Sequence, residues 1–388
     1  MSNGRLEAVA ICTPGLEPVC EAELNSLGIK ARAVGAGVVQ FKPSTRQLYV
    51  ANLWLRTASR VLVRIARFRA TDFNFLVTRA REVNWGEWLG EGVRPEFRVT
   101  AHKSKLMHTE AINERLMKVA LLDRSVDPTA PAQPFVVRVE NDLFTISVDT
   151  SGTSLHQRAW RTDIGVAPLR PTMASALLLT AGWNGSTPVC DPFCGSGTIA
   201  IEAALIARNL PPGGDRDFAF AHWPHFEPGT WASVAGSVGP GLIEDPGFMI
   251  EAYDRDGSAV ERTKANAERA GVADIVRIEE QVVSHLGGDA GTGLIVTNPP
   301  YGKRIGGGDL APLYKRFGAM LRERRSDWEL AVVAADSKLA RSIDGRLKPA
   351  GAYGHGGQRV QMFTRSGKAP DAQSDSQTPD DPPPTATT

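Results

Sequence analysis

Apolar residues from Glu17 to Leu27 (EPVCEAELNSL) recur at helical spacing, and Gly28 stands where a C-cap belongs, so a helix is predicted there. Short alternating runs predict strands at Gly37 to Phe41 and Val61 to Phe68. Strands at Phe97 to Thr100 and Phe135 to Val139 flank a helix near Thr109 to Leu122, and together these make an α+β pattern. After about residue 165 the pattern becomes strand, helix, strand, helix. Strands are expected at Pro188 to Asp191, Met249 to Tyr253, Ile275 to Ile278, Leu294 to Thr297 and Leu330 to Ala334, with helices at Gly197 to Arg208, Gly257 to Ala270 and Leu310 to Arg325. That alternation implies an α/β, doubly wound parallel sheet with ligands at the carboxyl ends of its strands. The Gly- and Pro-rich stretch from Pro211 to Gly247 breaks the rhythm and is expected to be a loop or insertion over the site. Ser366 to Thr388 lacks large apolar residues and is expected to be a disordered tail.

Length adds that 388 residues suit two or three domains. With 42% hydrophobic and 22% charged residues, and no apolar run of membrane-spanning length, the chain is expected to be globular and not embedded in a membrane. MSNGRLEAVAIC lacks the marks of a secretory signal, so a cytoplasmic location is expected. Cys12, Cys20, Cys190 and Cys194 have no zinc-site spacing; reduced thiols and no metal are expected. Net charge is +1, yet nine cations (Lys30, Arg32, Lys42, Arg46, Arg56, Arg60, Arg64, Arg67, Arg69) occupy a stretch free of Asp and Glu. Such a segment suits phosphate binding, or is a face whose acids come from elsewhere in the fold; the sequence leaves both open.

Val189 to Ala207 (VCDPFCGSGTIAIEAALIA) carries the first candidate chemistry. A short strand ends in Asp191, and Pro192, Cys194, Gly195 and Gly197 form a turn that opens a helix at Thr198, whose free N–H groups face any ligand. The glycine spacing fits dinucleotides as well as S-adenosylmethionine. The acid before the turn favours the second, since it can hold the cationic amino-acid end of S-adenosylmethionine and would repel a pyrophosphate. A tight turn without a ligand is the plainer alternative. Asp254, ending the next strand, is placed to accept hydrogen bonds from ribose hydroxyls; capping the following helix is the alternative, open also to Asp256.

The second candidate is LIVTNPPYGKRIGGG, Leu294 to Gly308. Two prolines remove amide donors, so the loop presents acceptors. If the Asn298 side-chain carbonyl and the Pro299 backbone carbonyl accept the two hydrogens of an exocyclic amine, its lone pair can aim at a sulfonium methyl. Tyr301 offers a face on which a base can stack. A rigid Pro-Pro turn with a packed Tyr is the alternative.

These residues resemble the class I methyltransferases whose Asn/Asp-Pro-Pro-Tyr/Phe loop methylates amino nitrogens. Thr13 to Pro18 with EAELNSLG, Ala101 to His108, Val148 to Thr153, LHQRAWR through Arg161 and Ala167 to Arg170 resemble the THUMP-domain RNA guanine-N2 methyltransferases. The resemblance implies a Rossmann-like methyltransferase sheet at 165–365, a ferredoxin-like element at 1–60, a THUMP-like RNA-binding domain at 61–160 and the tail at 366–388. It implies S-adenosylmethionine as cofactor and RNA as partner, with Lys103, Ser104 and Lys105 on the binding face, although a polar loop would read the same. Arg64 and Arg67 of the basic run join that expected face. The chain departs from the family pattern at Glu279 to Val282, which lacks the usual acid for adenine, at Gly293 in place of an Asp, and at Arg158-Ala-Trp-Arg161.

The resulting expectation is methylation of guanine N2 in RNA, 23S rRNA before tRNA, by a monomer. Within methyltransferases an adenine-N6 or glutamine-amide enzyme fits the same loop. A nicotinamide oxidoreductase is disfavoured, because Asp254 lies far beyond the roughly 20 residues of that fingerprint. A non-catalytic RNA-binding protein would bind RNA without cofactor affinity.

Overall fold

The computed structural model describes residues 6–163, 169–287, 291–301, 310–335, 337–355 and 358–366, and in it the two sequence patterns become two seven-stranded sheets. The first sheet contains β1 (Ala8–Cys12), β2 (Ala31–Gly35), β3 (Val38–Phe41), β4 (Ala58–Arg69), β5 (Pro95–His102), β6 (Gln133–Glu140) and β7 (Leu143–Asp149), in the order β2-β3-β1-β4-β7-β6-β5. Neighbours are antiparallel except β5 and β6. Helices α1 (Glu17–Ser26), α2 (Thr45–Trp54), α3 (Phe73–Arg81) and α4 (Thr109–Ala120) accompany it. The sequence pattern leaves out α2, which starts at a capping box in which Ser44 and Gln47 bond reciprocally. The twelve-residue β4 makes the sheet continuous: its first half, Ala58 to Val63, pairs with β1, and Leu62 to Arg69 pairs with β7.

The second sheet follows α5 (Pro171–Thr180). It comprises β8 (Val189–Asp191), β9 (Ile250–Asp254), β10 (Val276–Glu280), β11 (Leu294–Thr297), β12 (Glu329–Ala334), β13 (Lys348–His355) and β14 (Gln358–Arg365), with α6 (Thr198–Ala207), α7 (Pro228–Gly236), α8 (Gly257–Arg269), α9 (Ala311–Arg324) and α10 (Ser337–Ile343). The order is β10-β9-β8-β11-β12-β14-β13; β8 to β12 are parallel and β14 runs against β12. The doubly wound expectation holds, and the order reverses between β8 and β11, where such sheets open a ligand crevice. The β13–β14 hairpin escapes the sequence reading because Lys348-Pro-Ala-Gly-Ala-Tyr-Gly-His carries a proline, two glycines and no clean alternation.

The stretch from Pro211 to Gly247 corrects the sequence expectation. It contains α7 and buries Phe218, Phe220, Trp223 and Val234. Phe220 stacks on Tyr49 of α2 at 4.4 Å, Trp223 Nε1 donates to Gln133 Oε1 of β6 at 2.9 Å, and the Phe220 N–H donates to the Thr150 carbonyl at 3.2 Å. The segment is a joint between the two sheets, driven there by its aromatic residues, instead of a cover over the site.

A buried ionic group also crosses the joint. Glu202 of α6, fully buried, accepts from Arg158 Nε at 3.0 Å and from the Ser175 hydroxyl of α5 at 2.5 Å, and lies 4.0 Å from Arg56 beside β4. Arg158 Nη2 donates to the Arg56 carbonyl at 3.2 Å. All four cysteines are free and buried. Among the described residues no helix is long and apolar enough to cross a membrane. The expected tail, beyond Ser366, and the Gly302–Gly308 part of the second motif lie outside the described residues.

Candidate active site

Asp191 ends β8 and Asp254 ends the neighbouring β9, so the sheet itself brings the two acids to one crevice. Between them runs the turn Pro192 to Gly197. Gly195 and Gly197 both adopt left-handed φ, +58° and +77°. Their surroundings differ. A Cβ at Gly197 would lie 2.5 Å from Thr263 Cγ2 on α8, so this glycine permits close helix packing; at Gly195 a Cβ would meet nothing within 4 Å, so that side is open. The Gly195 N–H donates to Asp254 Oδ2 at 3.0 Å, and the Thr263 hydroxyl donates to the Gly195 carbonyl at 3.0 Å. Asn266, fully buried on α8, donates to the Ser196 carbonyl at 2.9 Å. The turn is thus held from behind while α6 begins at Thr198 with no side-chain cap.

Pro192, Cys194 and Thr198 are buried, so they shape this turn from within. Burial pushes the Cys194 thiol well above its ordinary range, which keeps it protonated. Asp256, not Asp254, caps α8: its Oδ1 accepts from the Ser258 N–H at 3.0 Å. Asp254 Oδ1 accepts from the Asp256 N–H at 3.0 Å, tying the strand end to that cap.

Asp191 is 1% exposed. Burial raises its carboxyl to about 7, opposed by hydrogen bonds to its oxygen from Thr297 and the Phe193 N–H, with the Asp254 charge raising it further. The Thr297 hydroxyl donates to Asp191 Oδ1 at 2.6 Å. Because Thr297 is the last residue of β11, this bond fastens the first motif to the second.

Asn298, Pro299 and Tyr301 follow directly. Pro299 is buried, and Asn298 Oδ1 is buried with no hydrogen-bond partner among the described residues. Tyr314 of α9 donates its hydroxyl to the Pro300 carbonyl at 3.3 Å, holding the loop from below. Tyr301 is partly buried against the main apolar core, and burial lifts its hydroxyl to about 12.

The expected RNA-binding residues lie on the first sheet, away from these strand ends. Lys103 (φ +48°) and Lys105 are exposed in the turn after β5. Ser104 is tied up locally: its hydroxyl donates to the His102 carbonyl at 2.9 Å and accepts from the Asp142 N–H at 3.0 Å. Arg67 is exposed, whereas Arg64 pairs with Glu7 at 2.7 Å. Arg60 pairs with the buried Asp149, and Arg56 lies beside Glu202 and Glu23. Acids from distant parts of the chain therefore neutralise three of the nine cations, while Lys30, Arg32, Lys42, Arg46, Arg67 and Arg69 stay exposed.

Thr297, Thr263, Asn266 and Tyr314 went unread in the sequence. Thr297 could have been found, since a hydroxyl one residue before an Asn-Pro-Pro loop faces the adjacent strand end. The others act from helices whose alignment only the fold supplies.

Residues 158–352 match the family model described as the RMKL-like methyltransferase domain, and residues 7–62 match the RlmL ferredoxin-like domain. YpsC of Bacillus subtilis, provisionally named an RNA methyltransferase, is 34% identical over 85% of this chain and 88% of its own length. The ribosomal RNA large subunit methyltransferase K/L of Methylococcus capsulatus is 31% identical over 86% of this chain; the chain spans about half the length of such K/L proteins, 47% here. The structure of SMU.472, described as a methyltransferase complexed with SAH, superposes with a TM-score of 0.87 at 28% identity, covering 95% of this chain and 99% of that one. By the match to its catalytic half and the relatedness along nearly its whole length, this chain belongs to the RMKL-like methyltransferase family, with an RlmL-type ferredoxin-like domain at its N-terminal end.

Proposed function

We propose that this chain transfers a methyl group from S-adenosylmethionine to the exocyclic N2 of a guanine in RNA, 23S rRNA before tRNA. The observation that carries the reading is Asn298 Oδ1, a buried acceptor at the end of β11 without a partner among the described residues. Leaving such a group unsatisfied costs about 1–3 kcal/mol, and an amine N–H would satisfy it.

The residues present fit the cofactor. The open side of Gly195 leaves room for a ligand against the backbone, the uncapped start of α6 offers N–H groups, and two acids stand at adjacent strand ends. In this reading Asp191 holds the cationic amino-acid end, Asp254 the ribose hydroxyls, and the turn from Pro192 through Cys194 and Gly197 to Thr198 shapes the seat. When bound, S-adenosylmethionine supplies an electrophilic methyl on sulfur. Asn298 Oδ1 and the Pro299 carbonyl accept the two amine hydrogens and turn the nitrogen lone pair toward that methyl. Tyr301 stacks on the base, and its raised hydroxyl stays neutral. The loop needs no strong base: as the N–C bond forms and the S–C bond breaks, sulfur leaves as the neutral thioether and the nitrogen becomes cationic and acidic, so its extra proton passes to water while the two carbonyls only orient the amine.

RNA as partner is supported by the names of the relatives and by the exposed Lys103, Lys105 and Arg67. In this reading residues 1–60 and a THUMP-like unit at 61–160 grip RNA while 165–365 perform the transfer. The test is incubation of the purified protein with methyl-labelled S-adenosylmethionine and separate pools of unmodified 23S rRNA, tRNA and duplex DNA, followed by nucleoside mass spectrometry. Labelled N2-methylguanosine from one RNA pool is expected. Labelled N6-methyladenine, or cofactor binding without label in any pool, would refute the assignment.

A further inference from the structure

Asn298 Oδ1 is not alone: among the described residues the Tyr353 hydroxyl on β13 is also buried without a hydrogen-bond partner. Tyr353 is 3% exposed and belongs to the apolar cluster on which Tyr301 packs. Burial raises its hydroxyl above the ordinary tyrosine range and the neighbouring Tyr301 adds to the rise, so the group keeps its proton and can donate it. The strand is pressed into place from the N-terminal half. Gly15 has φ +100°, and a Cβ there would lie 2.1 Å from the Ala352 carbonyl oxygen, so the Thr13 to Leu16 turn sits directly on the residue before Tyr353. Phenylalanine would fill the same space with no polar atom to strand, and a buried orphan hydroxyl in a native core calls for a partner that arrives from outside.

We infer that the Tyr353 hydroxyl donates a hydrogen bond to an acceptor on the edge of the target base, making Tyr353 a specificity-determining residue beside the Asn298 loop. This rests on the guanine reading above. Guanine offers a carbonyl oxygen where adenine carries an amino group; the hydroxyl donates to the first and could meet the second only by accepting, so the two bases would engage it through different hydrogen bonds. The inference also explains why a turn of the N-terminal half reaches the catalytic sheet: it fixes the strand that reads the base.

The experiment compares Tyr353→Phe with the wild-type protein in methyl transfer to unmodified 23S rRNA and tRNA, together with calorimetric S-adenosylmethionine binding and thermal unfolding. The expected result is a kcat/KM for RNA lower by about tenfold, the worth of one hydrogen bond near the upper end of the neutral range, with cofactor affinity unchanged and a Tm no lower than wild type. Wild-type activity in the variant would overturn the inference. So would a loss of activity that follows a fall in Tm or in cofactor affinity, the mark of a structural hydroxyl. If the wild-type protein labels no RNA, the guanine reading itself fails and this inference falls with it.

Discussion

Replacing Asp191 by Asn should stabilise the cofactor-free protein and weaken cofactor binding. The carboxyl is raised from its ordinary 3.8 to about 7 in the folded chain. Below pH 3.8 both folded and unfolded chains hold the proton and nothing is lost. As pH climbs from there, the unfolded chain ionises while the folded chain resists, so stability falls until about pH 7 and is flat above it. A rise of that size corresponds to about 4 kcal/mol at 1.36 kcal/mol per pKa unit. Asn keeps an acceptor for the Thr297 hydroxyl and the Phe193 N–H and carries no charge, so the variant should recover most of it. For 388 residues, an unfolding entropy of roughly 2.1 cal/mol/K per residue turns this into about 5 °C in Tm at pH 8. At pH 5 the difference should shrink to less than half. Titration calorimetry should show S-adenosylmethionine bound roughly 10- to 100-fold more weakly, the worth of a charge-assisted bond. The wild-type protein should also release protons on binding near pH 7, and the variant should not. A variant less stable than wild type at pH 8, or one that binds cofactor as tightly, would refute the reasoning.

Asn298→Ala should leave S-adenosylmethionine affinity nearly unchanged in calorimetry and lower turnover by about 10²–10³, as when a positioned acceptor at the reacting centre is lost; equal losses in both would remove its assigned role. Glu202→Gln strands Arg158 without its buried counter-charge, Arg56 keeping Glu23, and should cost about 3–5 kcal/mol in denaturant unfolding. A cost under about 1 kcal/mol would mean that the buried group does not hold the halves together. Lys103→Ala with Lys105→Ala should weaken RNA binding, leave cofactor affinity intact and flatten the salt dependence by up to about two counterions, measured by filter binding across salt concentrations.

The methyltransferase sheet was legible because its signals are local. Asp191, Gly195, Gly197, Asn298 and Pro299 sit at strand ends marked by short apolar runs, and strand order follows from right-handed crossovers. Asp256 shows the limit of that reading: two acids two residues apart were both eligible to cap α8, and only backbone geometry decided between them. The basic run shows a second limit, for Arg56, Arg60 and Arg64 find their acids at Glu202, Asp149 and Glu7, which no local window contains. Pro211 to Gly247 was read by composition as a loop, and its glycines and prolines hid the spacing of Phe220 and Trp223, whose side-chain partners Tyr49, Trp88 and Gln133 lie far back on the N-terminal side.

That segment bears on how the chain can be divided. In sequence it belongs to the methyltransferase half, yet its aromatic side chains are housed by Tyr49, Trp88 and Gln133 of the other half. A catalytic fragment cut near residue 165 would carry those rings with no wall to cover them, and the N-terminal fragment would keep an empty socket. The two units are separable as families of sequence and inseparable as folded matter, so neither could be exchanged for a homologous unit without recutting both sides of the joint.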